Sequence, residues 1–333
     1  MKKLIFLTIT AFAVTAHAQQ SSGLHVINTF HIESSGGWDY IAVSPVNDWV
    51  YVSHSTQVNI LNKKTGDSVG VIENTTGVHG IAFDPINKKG FTSNGRLNNV
   101  TVFDLNTNKP QAQIITGQNP DAIMYEPFSK KVITCNGRSK SLSIIDPVLN
   151  KVTDSVDLGG KPEEAGSDGQ GKIFVNLEDK NEIVSVDTKT FKVLDRWSIA
   201  PGDGPTGLAM DIKTKRLFAG CDKLLIVVDA VSGRIVDKLP IGDGCDGVVF
   251  DPGNKNIYTS NGEGTITVIH EDGADKYTVI ENVVTKKGAR TIALDKQTHL
   301  LYLPTAEFET VDLNQKGRPK MKPGTFRVLV VGK

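Results

Sequence analysis

The chain has 333 residues, with 37 Lys+Arg balanced by 37 Asp+Glu, so its formal net charge is zero and composition gives no electrostatic argument for nucleic acid. Hydrophobic residues at 39% and charged residues at 22% fit a packed globular chain and exclude a disordered one. With 32 Gly and 14 Pro but no low-complexity tract, the composition points to many turns and away from a fibre.

Lys2 and Lys3 precede an apolar run over 4–14, and Ala16-His17-Ala18 supplies a small-x-small pattern. This is the layout of a secretory signal peptide, so residues 1–18 are expected to be removed and 19–333 to form a single domain, periplasmic or secreted. No Cys sits near the cut, which argues against a lipoprotein anchor, and no later apolar run is long enough for a membrane span.

From residue 41 a motif recurs: IAVSP at 41–45, IAFDP at 81–85, IMYEP at 123–127, a degenerate AGSDG at 165–169, LAMDI at 208–212, VVFDP at 248–252 and IALDK at 292–296. Its acid position falls at Ser44, Asp84, Glu126, Asp168, Asp211, Asp251 and Asp295, with spacings of 40, 42, 42, 43, 40 and 44. Between copies, short apolar and β-branched runs alternate with turn residues such as Asn94-Gly95, Asn136-Gly137 and Asn261-Gly262. Four strands per repeat, seven times, predict an all-β, seven-bladed β-propeller of four-stranded blades. The seventh repeat lacks an outer strand after Val331, and residues 26–32 have the pattern to supply it, so the ring is expected to close by joining the two ends.

The segments YVSH at 51–54, FTSN at 91–94, ITCN at 133–136 and YTSN at 258–261 resemble the "YVTN" repeat of the YncE-like propellers, over essentially the whole chain after residue 18. Blades 4, 5 and 7 depart from it, with FVNL, FAGC and YLPT. The resemblance implies an exported seven-bladed propeller, and DNA binding has been attributed to a member of that family. It supplies no catalytic motif.

In a propeller the loops leading into the innermost strands and those joining second to third strands share one face, the top. Five residues before each acid position stand Asp39, His79, Asp121, Glu163, Thr206, Asp246 and Arg290. Six of these seven are ionisable, against about a quarter of the whole chain, so with Trp38 and Glu164 they are expected to line an acidic funnel. The second set of top loops adds His54, Arg96, Arg138, Glu178, Asp222, Glu263 and Glu307, with His54 expected near His79 and Arg96 near Asp121. Such a funnel suits a small polar ligand, a partner segment or a divalent cation, the last held by Asp39, His79, Asp121 and Asp246; Zn²⁺ on His54 and His79 is a narrower version. The alternatives are a metal-assisted hydrolase or lyase with His79 as acid–base, and a protein-interaction scaffold or DNA-binding propeller. An insertion over 304–325 bears Lys316, Arg318, Lys320 and Lys322 and is expected to lie over the funnel as a basic flap. The opposite face gathers seventeen Lys and Arg in its turns, read as solvating hairpin lysines because base-stacking aromatics are absent there. Of three cysteines, Cys221 and Cys245 are placed to approach each other, either as a disulfide or as two buried thiols.

Overall fold

A computed structural model describes residues 21–34, 36–309 and 320–333; the expected signal peptide lies outside them. The chain folds into seven four-stranded antiparallel sheets. Six are meanders of consecutive strands, beginning with the innermost strands Trp38–Val43, Val78–Asp84, Pro120–Glu126, Pro162–Ser167, Leu208–Asp211 and Cys245–Asp251. Each innermost strand packs against that of the next blade, and Ala293–Asp295 of blade 7 packs against Trp38–Val43, so the blades form a closed ring.

Blade 7 takes its outer strand from the other end of the chain. His25–His31 pairs antiparallel with Arg327–Gly332, from His25↔Gly332 to His31↔Arg327. That pairing removes the open edge anticipated from the sequence. A buried cation seals the same junction: Lys63 Nζ lies 3.0 Å from Asp295 and 3.5 Å from Asp48, and Tyr302 Oη donates to the Lys63 carbonyl at 2.9 Å.

The core lies between blades, where the buried faces of neighbouring sheets meet. At the blade 7–blade 1 junction Phe30, Val50, Val52, Tyr302, Phe326 and Val328 form one cluster, each side chain worth about 1.5–3 kcal/mol when fully removed from water. The recurring sequence signals have structural roles here. The acid positions cap the bottom turns: Asp84 Oδ1 accepts the Ile86 and Asn87 amides at 3.0 and 3.1 Å, and Glu126 accepts those of Phe128 and Ser129. The Ser of FTSN bridges blades, with Ser93 Oγ donating to the Asp121 carbonyl of the next blade. The Asn closes its own loop, Asn94 Nδ2 reaching Asn99 Oδ1 at 2.8 Å and Thr101 Oγ1 at 2.9 Å. Cys135, Cys221 and Cys245 are buried free thiols, so of the two arrangements open for Cys221 and Cys245 the structure has the unbonded one. Burial pushes the Cys221 thiol up to about 12, which keeps it unreactive.

Candidate functional site

The six ionisable side chains at the heads of the innermost strands meet at the mouth of the central channel. Arg290 Nε lies 2.6 Å from Asp246, and Arg290 Nη2 lies 3.0 Å from Asp39 Oδ1. The other oxygen of Asp39 is 2.6 Å from His79 Nδ1, which is also 3.5 Å from Asp121 Oδ1. Beyond Asp121, Glu163 pairs with Lys161 at 3.0 Å, and Lys161 also holds Glu178. The seventh position, Thr206, is turned to the backbone and donates to the Cys245 carbonyl at 2.8 Å. The His79 ring is pinned from behind: a Cβ on Gly95 would sit 2.6 Å from His79 Nε2 and 2.8 Å from Asn119 Oδ1. Only Nδ1 therefore faces the carboxylates.

Next to the mouth lies a cavity of about 250 Å³ whose polar lining includes Tyr40, Glu164 and Asp246 among apolar residues such as Ile41, Ile81 and Ile123. Position explains why so few large side chains reach it. The residue four before each acid position is Tyr40, Gly80, Ala122, Glu164, Gly207, Gly247 or Thr291. Glycine is required at several of these because the next innermost strand is too close: a Cβ at Gly80 would meet Ile123 at 2.8 Å, and at Gly207 the Val248 amide at 2.5 Å. Tyr40 and Glu164 are the two large members of that column. Tyr40 lies one residue, and Lys161 two, from the fixed offset that brings the ionisable side chains together, so the offset alone points to neither.

The mouth holds more carboxylates than cations. Burial raises Asp121 to about 6, with the Asp39 charge adding to the rise and His79 opposing it. Burial also raises Glu163 to about 8, reinforced by Asp121 and opposed by Lys161, and Glu164 to about 8. For His79 burial favours the neutral ring, but the hydrogen bond to Asp39 and the charges of Asp121 and Asp39 outweigh it and raise its pKa. Asp246 is raised by burial against the pull of Arg290. One nitrogen and two oxygens, from His79, Asp39 and Asp121, lie within 4.8 Å of one another and can serve as ligand atoms for a metal ion. Asp246, the fourth metal candidate from the sequence, is instead the partner of Arg290.

The second set of top loops is not part of this cluster as a whole. His54 is fully buried, contrary to its expected place beside His79 in the funnel, and a Zn²⁺ site on that pair is ruled out by its surroundings. Its ring stacks on Phe326 at 4.0 Å, Nε2 contacts the Gly36 carbonyl at 2.7 Å and Nδ1 contacts Ser34 Oγ. Trp38 continues the stack on the other side, 5.4 Å from Phe326 and 5.9 Å from Phe308. Arg96 is exposed and rests on Gly77, making no ion pair with Asp121; Arg138 is exposed on the rim. Glu263 accepts from Thr265 Oγ1 at 2.8 Å, and Glu307 pairs with Arg327 at 2.9 Å. Glu178 alone of this set joins the mouth, through Lys161.

The arms of the blade 7 insertion are zipped together, with a bridge between Phe308 and Met321 and the Lys322 amide donating to the Glu307 carbonyl at 2.8 Å. Lys322 Nζ approaches Glu307 at 4.0 Å, and Lys316 and Arg318 lie outside the described residues. On the bottom face part of the expected positive charge is paired within the fold: Lys64 with Asp48, Lys131 with Asp146, and Arg216 with Asp229 and Asp275. Among the described residues no helix is long and apolar enough to cross a membrane.

No protein-family profile and no curated protein matches the chain, so the YncE-like likeness rests on the repeat residues alone. Among solved structures the chain is similar to the hydrazine synthase of Kuenenia stuttgartiensis, with a TM-score of 0.72 and 15% identity over 82% of this chain and 94% of that one. It is also similar to the WD40 repeats of RRP9, with a TM-score of 0.76 and 8% identity over 95% of this chain and 99% of the other. At these identities the likeness establishes the propeller fold and is compatible with binding or scaffolding in general.

Proposed function

We propose that this chain is an exported binding propeller whose channel mouth holds a divalent cation on Asp39, His79 and Asp121, with an open coordination position for a small polar ligand. The observation that carries this reading is the approach of those three ligand atoms, from three successive blades, to within 4.8 Å. The raised carboxyl groups support it, because burial, reinforced by neighbouring carboxylates, holds protons at a site where a cation could replace them. One imidazole nitrogen with two carboxylates is a mixed donor set, which suits Zn²⁺ or Mn²⁺ better than the all-oxygen preference of Ca²⁺ or Mg²⁺. Export rests on the Lys2-Lys3 and Ala16-His17-Ala18 pattern.

The hydrolase or lyase reading is weaker. His79 Nδ1, the ring nitrogen that faces the carboxylates, is already engaged by Asp39, and Gly95 packs close to Nε2. A scaffold acting through its rim would use exposed groups such as Arg96 and Arg138 and would be indifferent to the channel mouth.

Thermal unfolding and calorimetric titration of residues 19–333 after chelation test the proposal. At a hundredfold excess over Kd a cation bound only by the folded chain adds about 2.7 kcal/mol of stability. Zn²⁺ or Mn²⁺ is expected to bind one-to-one with proton release, and Asp121→Asn and His79→Ala each to abolish it while the fold persists. No saturable binding by any of the four ions would remove the cation reading.

A further inference from the structure

Beside the channel mouth the top face carries a second, larger cleft of about 550 Å³, built differently from the acidic mouth. One boundary is apolar: Trp38 of blade 1 with Phe308 and Met321 from the insertion of blade 7. Another is bare backbone, Gly244 and Gly262 of blade 6, bound to each other by the Gly262 amide and the Gly244 carbonyl at 2.8 Å. Between blades 6 and 1 lies the loop into blade 7, which supplies Lys287 and Arg290. Arg290 is already committed to Asp39 and Asp246. Lys287 is exposed and has no acidic group within 4.0 Å among the described residues, so it is the cation the cleft can offer.

We propose that this cleft binds a planar aromatic anion, its ring against Trp38 and Phe308 and its carboxylate or sulfonate directed to Lys287. The volume falls within the range of small-molecule sites. Glycine backbone leaves a flat surface that a ring can approach closely, and indole and phenyl faces favour offset or tilted stacking with it. The apolar wall is organised in advance, since Trp38 is fixed by its stack on Phe326, itself stacked on His54. The ligand then loses little free energy in ordering its site. The cleft adjoins the proposed cation site through Arg290 and through Trp38, the residue before Asp39, but its lining includes none of the three cation ligands, and the two are tested separately.

Two probes of matched shape separate the ring from the charge: 8-anilino-1-naphthalenesulfonate and its uncharged counterpart N-phenyl-1-naphthylamine, titrated by fluorescence against residues 19–333. The sulfonate is expected to bind one-to-one and about fivefold or more tighter than the neutral probe, an effect of the size one charge-assisted contact supplies. Lys287→Glu, on an exposed side chain, should erase that preference with circular dichroism and Tm unchanged. Phe308→Ala should weaken both probes, and Asp121→Asn should weaken neither. Equal affinity for the two probes, or a sulfonate preference that survives Lys287→Glu, would overturn the assignment whatever the result of the metal titration.

Discussion

Gly95 and the two histidines of the top loops show how packing decides which imidazole is available. His54 ends the second strand of blade 1 and His79 stands at the head of the innermost strand of blade 2, both towards the same face. His54 has a flat aromatic neighbour, Phe326, and partners for both ring nitrogens, so it is a buried packing residue. His79 has carboxylates on one side and the Cα of Gly95 on the other, which leaves Nδ1 pointing into the acidic mouth. Gly95→Ala would force a methyl within 2.6 Å of Nε2 and push the ring out of place. Overpacking of this kind costs about 1–3 kcal/mol. The expected outcome is a folded protein with a lower Tm whose affinity for Zn²⁺ or Mn²⁺ falls about tenfold or more, measured by calorimetry beside Asp121→Asn. Unchanged affinity would mean that His79 is not held by Gly95 in the way the cation site requires.

At the scale of strands and blades, the closing junction is the place where one interaction spans the two ends of the ring. Lys63 is only 5% exposed, and its partner Asp295 is equally withdrawn, held below the usual carboxylate range with the Lys63 hydrogen bond as the main lowering influence against burial. Lys63→Met leaves that buried carboxylate without its cation, and breaking such a pair costs about 3 kcal/mol or more. Urea unfolding should give this loss; a change below about 0.5 kcal/mol would mean the β-pairing alone closes the ring. The closure itself was legible in the sequence because a four-strand period leaves a countable gap in the last repeat. The periodic acids and the Ser and Asn of the repeat were legible for the same reason, although their work is turn capping and blade bridging. The alignment of Asp39, His79, Asp121, Glu163, Asp246 and Arg290 could also be found from a fixed offset, since equivalent positions in successive blades point to one axis. What a one-dimensional offset could not supply is side-chain direction. That is why His54 was expected in the funnel, why Arg96 was expected beside Asp121, and why the partnership of Trp38 with Phe308 and Phe326 was missed.

For the molecule as a whole the decisive property is where its protons sit. Asp121 at about 6 and Glu163 and Glu164 at about 8 are raised above ordinary carboxyl values, so the folded chain retains protons that the unfolded chain releases. Each proton held only by the folded state makes stability fall by about 1.4 kcal/mol per pH unit as pH rises from the unfolded pKa to the folded one. His79 acts in the same direction: its raised pKa contributes stability below the ordinary histidine range that is lost as pH rises through the folded value. The capping acids Asp146 and Asp229 and the closing acid Asp295 are lowered instead, so what they contribute is present above the ordinary carboxylate range and lost only on further acidification. The two windows do not overlap, and the metal-free protein should be most stable in mildly acid solution and lose stability steadily towards pH 8. Glu164→Gln removes one of the protons without adding charge and should flatten that decline. A cation at the mouth competes with the same protons, so the rise in Tm produced by saturating Zn²⁺ or Mn²⁺ should be larger at pH 8 than at pH 6. Thermal scans of both proteins across this range, with and without the ion, measure the slope and the competition together. A metal-free profile flat from pH 5 to pH 8 would show that the acidic mouth is solvated well enough to ionise freely, and would remove the charge deficit on which cation binding depends.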